Sequence, residues 1–586
     1  MKKIKILLPL LILTLAISLR LYNWHNYTFG FDQIETIESA AKIKAGKLTL
    51  VGTLSGPAPL FAGPLLYYLT ALLMFLVPPP YTVIATSFIV ALATGLLLFY
   101  LTQKYLPSSK TMITFVLWSF SPFLISQYRT PWTPNLSFLS ASLVFFPLLN
   151  GVKNRLSTKD ILIVAIGIFL GYQSHVYDLF LFLVVFLASF LFFKPRKKLL
   201  LASTLAFCFS LLPTLIFDLR HQWLNLRGLI AFLTDKTSVN LQILTSTILK
   251  NLYITIENLG RILFFPNSIL LIAFSGALFF IFSIALLKTA EKRERSKILF
   301  SLFWIFAITV FFSPYRGITP EYYFLIQFPP LLYLSTNLIQ IILPTNFKRT
   351  IALTIFACYS LIFVKIQYGK FPGDLNLDNQ VKAANYLYEL SKTTPIKKLN
   401  YDMDLVYAPG FQYLLNNLEL QSQGQEVVIT YPFYGGLVTA KFPPVGLWLA
   451  PPVEPEKNYL KMADYLISTP KDIFLYQDYY RQNLLESSQT FIISQHQQAI
   501  GTLLIFSLQK SNQFLADIAA QKNTPSTLPI PWTHLTIKQF PGFAYLCNYR
   551  LFFFLPSDNL EQIELFNFLR NFQIISVDDK VCGERS

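Results

Sequence analysis

Charged residues are scarce in this chain of 586 residues: Asp, Glu, Lys and Arg make up 13% of it, about half the share that is usual in soluble domains. The four cysteines are too few for a disulfide-based scaffold. The sequence also lacks a Gly-x-x-x-x-Gly-Lys-Ser/Thr loop, a Gly-x-Gly-x-x-Gly motif after a strand, a His-Glu-x-x-His motif and any clustered Cys/His pattern. These absences argue against a soluble globular enzyme, nucleotide hydrolysis, dinucleotide binding and zinc hydrolysis.

Hydrophobic residues make up 53% of the chain, and they are concentrated in stretches long enough to cross a bilayer. A membrane-spanning helix needs about 17 to 25 mainly apolar residues, and such stretches recur as far as residue 366 and then stop. The sequence therefore predicts a polytopic α-helical membrane protein with 11–13 transmembrane helices. The candidate spans are 5–22, 63–77, 81–103, 110–127, 134–150, 160–175, 177–193, 198–217, 267–288, 298–313, 321–343 and 350–366.

The chain has a net charge of +17, and the distribution of its basic residues among the loops indicates the orientation of the chain in the membrane. Basic residues are retained on the cytoplasmic side of a membrane, and 19 of the 48 fall in six short clusters with only three acids among them. If these clusters lie on the cytoplasmic side of the cell membrane, the loops 23–62 and 218–266 and everything from 367 onward lie on the external side. That C-terminal part has 17 basic and 20 acidic residues, so the charge gives no support for a nucleic-acid partner. The clusters are Lys2, Lys3, Lys5; Lys104, Lys110; Lys153, Arg155, Lys159; Lys194, Arg196, Lys197, Lys198; Lys288, Lys292, Arg293, Arg295, Lys297; Lys348, Arg349.

Residues 367–586 change in character and predict a soluble α/β domain outside the membrane, attached to a transmembrane domain of residues 1–366. No stretch there is long enough to span a bilayer. Short patterns predict helices at 382–391 and 562–572 and buried strands at 426–430 and 472–476. Cys547 and Cys582 both lie in this part, where oxidation is permitted, and either one bridge or two free thiols fits the sequence.

The first external loop contains two carboxylates on one side of a predicted surface helix. Asp32 and Glu35 are three positions apart, a spacing that places both on the same helix face. The apolar residues between them and residue 45 predict that 32–45 lies along the membrane surface. One interpretation makes Asp32 a helix N-cap and Glu35 its capping-box partner. The other makes them a functional acid pair.

The same loop resembles the first half of bacterial GT-C glycosyltransferases, and more narrowly family 39, which includes protein mannosyltransferases and lipid A aminoarabinose transferases. That family carries Asp-Glu in the first external loop and a Pro-Pro-Leu-Tyr-Tyr motif at the next helix. Asp32 matches the Asp, Gln33 replaces the acidic neighbour, and residues 64–68 (Pro-Leu-Leu-Tyr-Tyr) match most of the second motif. The Lys that often precedes this motif is replaced by Ala62 or Gly63. Residues 127–135 resemble the family's Arg-x-x-x-x-x-Asp stretch, with Asn135 in place of Asp.

The resemblance implies an inverting glycosyltransferase that moves a sugar from a polyprenyl-phosphate carrier to an acceptor at the external face. This reaction needs a base for the acceptor hydroxyl and cations for the departing phosphate. Asp32 is the expected base, with Glu35 as the alternate or as its partner. The candidates for holding the phosphate, each of which also fits a membrane-interface anchor, are Arg129, Arg220, His221 and Arg316. Further candidates for substrate contacts are His175, Tyr323 and Tyr67.

Several alternatives stay open at this stage. Tyr322 and Tyr323 also fit the aromatic belt of a membrane protein, and Asp218 fits either a pair with Arg220 or a cap on the next helix. A divalent cation, Mg²⁺ or Mn²⁺, fits an acidic loop of oxygen ligands. The chain as a whole fits a lipid-linked sugar transporter or flippase, or a membrane-anchored binding protein without activity. The sugar and the acceptor, whether protein, lipid or glycan of a bacterial cell envelope, are not identified by the sequence.

Overall fold

A computed structural model describes residues 2–55, 60–152, 154–193, 196–234, 241–263, scattered helical positions between 274 and 288, 291–313, 320–369, 376–402, 408–422 and 424–430. Beyond these it describes backbone strands as far as residue 579. The chain divides into two compact units, Met1–Gly373 and Asp374–Ser586.

The first unit is helical. Its helices are α1 (Lys2–Leu21), α2 (Phe31–Lys44), α3 (Leu65–Leu73), α4 (Thr82–Tyr105), α5 (Ser108–Phe120), α6 (Pro122–Arg129), α7 (Ser137–Gly151), α8 (Thr158–Ser174), α9 (Leu179–Leu191), α10 (Arg196–Arg220), α11 (Leu224–Thr234), α12 (Leu241–Leu263), α13 (Lys292–Phe311), α14 (Phe328–Ile342) and α15 (Asn346–Gly369). Short 3₁₀ segments at Trp24–Asn26, Thr133–Leu136, Val176–Asp178 and Glu321–Gln327 connect some of them.

Four of the described helices are long and apolar enough to cross a membrane: Thr82–Tyr105, Arg196–Arg220, Glu321–Ile342 and Asn346–Ile366. Two shorter apolar helices, Leu7–Leu21 and Val176–Leu191, accompany them. The chain is therefore a multi-helix membrane protein by length and composition. The count of 11–13 crossings and the direction of insertion stay predictions.

The predicted span 110–127 is not a single helix, because the chain breaks at Ser121–Pro122 between α5 and α6. Ser121 ends α5 in an extended conformation, and its hydroxyl accepts the main-chain N–H of Leu124 at 3.4 Å. Proline has no N–H to donate into α5 and its fixed φ suits the first position of the next helix. The break turns α6 toward the loop that contains Trp132.

The two ends of α8 carry different chemistry. At the N-terminal end, Asp160 accepts hydrogen bonds from the Tyr105 hydroxyl at 2.6 Å and from Lys104 Nζ at 3.2 Å. At the other end, about 25 Å away at 1.5 Å per residue, the chain turns at His175. Lys104 and Lys159 of the predicted cytoplasmic clusters thus lie at the end of α8 opposite His175.

Aromatic side chains contribute several of the closest contacts in the core of the first unit. Trp304 is fully buried, and its indole N–H donates to the main-chain oxygen of Ile326 at 3.0 Å. The rings of Phe145 and Phe300 stack at 5.8 Å, and Phe145 also meets Trp304 edge-on at 5.5 Å. These contacts fix the Glu321–Gln327 segment against α7 and α13, which matters because Tyr322 and Tyr323 lie in that segment.

In the described part of the second unit there are helices and the strands of two sheets. Helix α16 (Leu377–Ser391) confirms the predicted helix at 382–391, and strand β4 (Gln425–Thr430) confirms the predicted strand at 426–430. The predictions at 472–476 and 562–572, and the Cys547–Cys582 pair, lie outside the residues whose side chains are described. The remaining elements are α17 (Ala408–Leu414), β3 (Ile396–Asp402), β4 (Gln425–Thr430), β5 (Ala440–Phe442), β6 (Val445–Trp448), β7 (Ser488–Gln495), β8 (Gln498–Ser507), β9 (Thr533–Ile537), β10 (Phe543–Cys547), β11 (Arg550–Leu555) and β12 (Ile574–Asp579).

The strand orders are β3-β4-β6-β5, with β3 and β4 parallel, and β12-β9-β10-β11-β8-β7, which is antiparallel throughout. Helix α17 joins the two parallel strands. Ala383, Leu387, Phe411, Val427 and Ile429 form the buried apolar centre of this part. That this unit lies outside the membrane stays a prediction.

Candidate active site

Helix α2 starts without help from its acidic side chains. Its N-cap is Gly30, whose main-chain N–H donates to Gln33 Oε1 at 2.9 Å. Gln33 Nε2 in turn donates to the main-chain oxygen of Pro131 at 2.9 Å. The interpretation of Asp32 and Glu35 as a capping pair is therefore wrong, and both carboxylates are free for another role.

Asp32 lies in the wall of a cavity of about 130 Å³. The cavity brings together three residues that the sequence analysis singled out, Asp32, His175 and Tyr323, which are far apart in the chain. It also contains Trp132 and Tyr322, which the sequence analysis did not assign to a site. The described lining residues are Asp32, Thr36, Thr53, Leu54, Ala62, Trp132, Thr133, Pro134, His175, Tyr322 and Tyr323.

Burial raises the pKa of Asp32 and that of Glu35 above their usual values. For Glu35, hydrogen bonding to Tyr67 opposes the rise, whereas the negative charge of Asp32 adds to it. The Tyr67 hydroxyl also shares a hydrogen bond with Thr53 Oγ1 at 3.0 Å. Tyr67 therefore joins Glu35 to the wall of the cavity, without lining the cavity itself.

A short hairpin of β1 (Leu54–Ser55) and β2 (Leu60–Phe61) lies beside the cavity, and Thr53, Leu54 and Ala62 at its ends line the wall. Gly63, directly after it, donates its N–H to the Tyr172 oxygen at 3.1 Å. A Cβ atom on Gly63 would lie 2.2 Å from Gln173 Oε1, so no side chain fits while Gln173 keeps its place. Gly63, one of the two positions that replace the Lys of the resembling family, is thus used here for close packing against α8.

His175 is held in the cavity wall by its own turn. It follows α8 in an extended conformation, and its Nδ1 accepts the main-chain N–H of Tyr177 at 3.4 Å. Its ring lies 5.2 Å from the rings of both Tyr177 and Tyr323. Burial lowers the pKa of His175 to about 4, so the imidazole is neutral at physiological pH.

Aromatic rings form the opposite part of the wall. The ring centroids of Trp132 and Tyr322 are 4.3 Å apart, and those of Tyr322 and Tyr323 are 4.8 Å apart. The Trp132 indole N–H donates to Asn135 Oδ1 at 3.1 Å, which holds the indole in place. Trp132 stands inside the 127–135 stretch, so an aromatic residue in a short turn within a family-like motif was the signal that could have identified it.

Arg129 does not line the cavity; its side chain holds the end of α1. Its Nη1 donates to the main-chain oxygens of Arg20 at 3.0 Å and of Tyr22, and its Nη2 donates to the oxygen of Asn23 at 3.3 Å. The guanidinium lies 3.9 Å from the centroid of Tyr368. Arg129 therefore fixes the chain that leads from α1 into the loop 23–62, and its contact with a lipid phosphate stays a prediction.

Arg220 and His221 are exposed and are not among the cavity's described lining residues. The His221 ring stacks on Phe217 at 4.0 Å, and its Nδ1 lies 2.8 Å from the Phe217 oxygen. Asp218 accepts the N–H groups of Asn225 and Leu226 at 2.8 and 3.0 Å, so it caps α11 as one of the two sequence interpretations proposed. Arg316 lies in 314–319, outside the described residues.

Asp32 and Glu35 supply two carboxylates to this region. Within the part of the chain that the structure describes, no group of three or more His, Cys, Asp and Glu side chains is arranged to hold a metal ion. A divalent cation at this place stays a prediction, because one or two carboxylates together with a substrate phosphate are enough to hold Mg²⁺; the reaction proposed for the site is written without a metal.

No protein-family model matches the sequence, and no curated protein is significantly similar to it. Among solved structures the chain is similar to ArnT from Cupriavidus metallidurans bound to undecaprenyl phosphate, at 10% identity and a TM-score of 0.49, over 72% of this chain and 93% of that one. It is also similar to the archaeal oligosaccharyltransferase AglB from Archaeoglobus fulgidus in complex with an inhibitory peptide and a dolichol-phosphate, at 12% identity and a TM-score of 0.40, over 73% and 69%.

A further structure of the Archaeoglobus fulgidus oligosaccharyltransferase, in complex with Zn and sulfate, is similar at 12% identity and a TM-score of 0.41, over 98% of each chain. These neighbours are GT-C family members.

Proposed function

We propose that this protein is a membrane glycosyltransferase that moves a sugar from a polyprenyl-phosphate-linked donor to an acceptor hydroxyl at the external membrane face, with inversion at the anomeric carbon. The observation that carries the proposal is the place of Asp32: its carboxylate is not used for capping, is partly desolvated, and shares one cavity with His175 and three aromatic rings.

Asp32 acts as the general base. The acceptor oxygen attacks the anomeric carbon, the bond from that carbon to the phosphate oxygen breaks, and the phosphate leaves with the bonding electrons. The acceptor proton passes to the Asp32 carboxylate. Because burial raises the pKa of Asp32, the carboxylate accepts this proton more readily than an exposed one would.

Glu35 and Tyr67 support this base. The like charge of Asp32 raises the pKa of Glu35, and the hydrogen bond from Tyr67 favours the charged form of Glu35. A negative Glu35 one turn away raises the proton affinity of Asp32 in turn. Tyr67 reaches the cavity wall through Thr53, so it positions Glu35 relative to the substrate.

The aromatic rings suit a sugar. The apolar C–H face of a pyranose packs on an aromatic ring, while its hydroxyl groups need polar partners at the edge. Trp132, Tyr322 and Tyr323 supply the rings, and Thr36, Thr53 and His175 supply polar groups. The leaving phosphate needs a cation beside this cavity; Arg316 and Arg220 are proposed for it, since Arg129 is bound to α1.

The test is transfer by the full-length protein, purified in nanodiscs, from polyprenyl-phosphate sugars to membrane acceptors. Asp32→Asn keeps the shape of the side chain and removes the base, so transfer should fall by at least about a hundredfold. Glu38→Gln, on the exposed side of the same helix, is the matched control and should keep the wild-type rate.

Normal transfer by Asp32→Asn would contradict the assignment of the base. Movement of the sugar-lipid across the membrane without any glycosylated product, in the wild type, would instead identify a transporter.

A further inference from the structure

The imidazole of His175 presents one definite nitrogen for a substrate contact. Nδ1 accepts the main-chain N–H of Tyr177, and a ring nitrogen that accepts a hydrogen bond carries no proton. In the neutral ring the proton is therefore on Nε2. The turn itself selects this tautomer, in the same way that a second hydrogen bond fixes the tautomer of a metal-bound histidine.

Nε2–H has no protein acceptor among the described residues, although the ring is half-buried and lines the cavity. Its surroundings are aromatic on several sides, since the rings of Tyr177, Tyr322 and Tyr323 lie 5.2 to 6.2 Å from the imidazole. An N–H donor in this place is available for a hydrogen bond to an oxygen atom of the substrate.

We propose that the Nε2–H group of His175 donates a hydrogen bond to a hydroxyl oxygen of the sugar and so makes His175 a specificity-determining residue of the donor site. This inference rests on the proposed function. A sugar hydroxyl is favoured over the lipid phosphate, because the donor is neutral and its neighbours are the aromatic rings that suit the sugar face.

The neutral state follows from burial, which lowers the pKa of His175 to about 4. The titratable groups packed around it are the phenols of Tyr177, Tyr322 and Tyr323, with the Asp32 carboxylate in the same cavity. Binding of the sugar through His175 should therefore be constant between pH 8 and about pH 6. A histidine that worked as a cation would gain affinity over this range as the pH falls.

The experiment measures binding of lipids to the full-length protein in nanodiscs. The probes are undecaprenyl phosphate alone and undecaprenyl phosphate linked to glucose, mannose or N-acetylglucosamine. The quantity of interest is the ratio between the dissociation constants of the bare and the sugar-linked lipid, because it isolates the contribution of the sugar. Among these, the sugar-linked lipid that binds most tightly is used for the variants.

Two near-isosteric variants distinguish the contribution of Nδ1 from that of Nε2. His175→Gln can place an amide N–H near the position of Nε2, and should keep the ratio within about threefold of the wild type. His175→Asn can replace the acceptor to Tyr177 but cannot reach the Nε2 position, and should lower the ratio about tenfold, the value of one hydrogen bond. His25→Asn, at an exposed histidine stacked on Trp24, is the control.

Three results would overturn the assignment. In the first, no sugar-linked lipid binds more tightly than undecaprenyl phosphate. In the second, His175→Asn keeps the wild-type ratio. In the third, it weakens both lipids equally, which would identify a phosphate contact or a loss of folding. The assay measures no transfer, so a correct ratio together with an inactive wild type would count against the proposed reaction and not against the His175 contact.

Discussion

The side-chain oxygen of Gln33 accepts the main-chain N–H of Gly30 at 2.9 Å, while its amide nitrogen donates to the oxygen of Pro131 at 2.9 Å. One side chain thus begins helix α2 and ties it to the turn that carries Trp132. Since Asp32 is the next residue back along the chain, the same contact sets the distance between the proposed base and the aromatic wall.

Gln33→Ala should break the connection between helix α2 and the turn that carries Trp132. Both hydrogen bonds are lost in a buried place, so the free energy of unfolding should fall by roughly 1 to 3 kcal/mol, and transfer should fall because the Trp132 wall is no longer tied to α2. Gln33→Glu keeps an acceptor for Gly30 but, when ionised, has no N–H for Pro131. It should start the helix normally and still lose activity. Full activity in Gln33→Ala would contradict the positioning role.

Asp32→Asn should make the folded protein more stable at neutral pH while it removes activity. Burial raises the folded-state pKa of Asp32 above its unfolded value, so the folded state binds the proton first as the pH falls. The wild type therefore gains stability as the pH drops through the folded-state pKa, and the advantage of Asp32→Asn shrinks over the same range. Thermal unfolding of both proteins between pH 8 and pH 4 checks the sign. A variant that is less stable than the wild type at pH 8 would show that the carboxylate is stabilising.

Transfer itself should have the opposite dependence on pH. Protonation removes the base, so the wild-type rate should decline as the pH falls through the pKa of Asp32, at a pH above the usual value for Asp. Tyr67→Phe removes the hydrogen bond that favours the charged form of Glu35. The pKa of Glu35 then rises, and the pH profile of transfer should change. If Tyr67→Phe has the same pH profile of transfer as the wild type, Glu35 takes no part in the reaction.

Arg129→Ala should lower stability without a direct effect on lipid binding. The guanidinium donates to three main-chain oxygens at the end of α1, and hydrogen bonds to charged groups are worth roughly 1.5 to 3 kcal/mol each. We expect a loss of about 3 kcal/mol in the free energy of unfolding, with unchanged affinity of the folded fraction for undecaprenyl phosphate. If Arg129→Ala leaves the stability unchanged and weakens lipid binding, Arg129 is a phosphate ligand.

Trp132→Ala should raise the KM for the sugar-linked lipid about tenfold, because an aromatic surface for the sugar is lost. Trp132→Phe keeps a ring and should lose much less. Trp24→Ala, at a partly exposed tryptophan that is not among the described lining residues, is the control for loss of an indole. Equal KM values for all three variants would show that Trp132 does not contact the substrate.

Local sequence patterns predicted much of the helical framework. The predicted helix at 32–45 is α2 at 31–44, because three-and-four spacing of apolar residues is a local property of the chain. The break at Ser121–Pro122 was equally local, but the apolar run 110–127 concealed it. The cap of α2 was assigned to the wrong residues, since Gly30 and Gln33 form it through a side-chain contact that a Ser, Thr, Asp or Asn pattern does not describe.

The sequence by itself determined that this is a helical membrane chain with a separate C-terminal unit, and that the loop after its first helix carries two carboxylates. Composition and periodicity are sufficient for that, because burial in lipid and the helical repeat both act over neighbouring residues. Only the tertiary structure decided which distant residues share a site. Asp32, Trp132, His175 and Tyr322 meet in one cavity, whereas Arg129, equally prominent in the sequence, is drawn to the carbonyls at the end of α1. Such choices depend on packing between helices and on which buried donors find acceptors, and no local pattern records either.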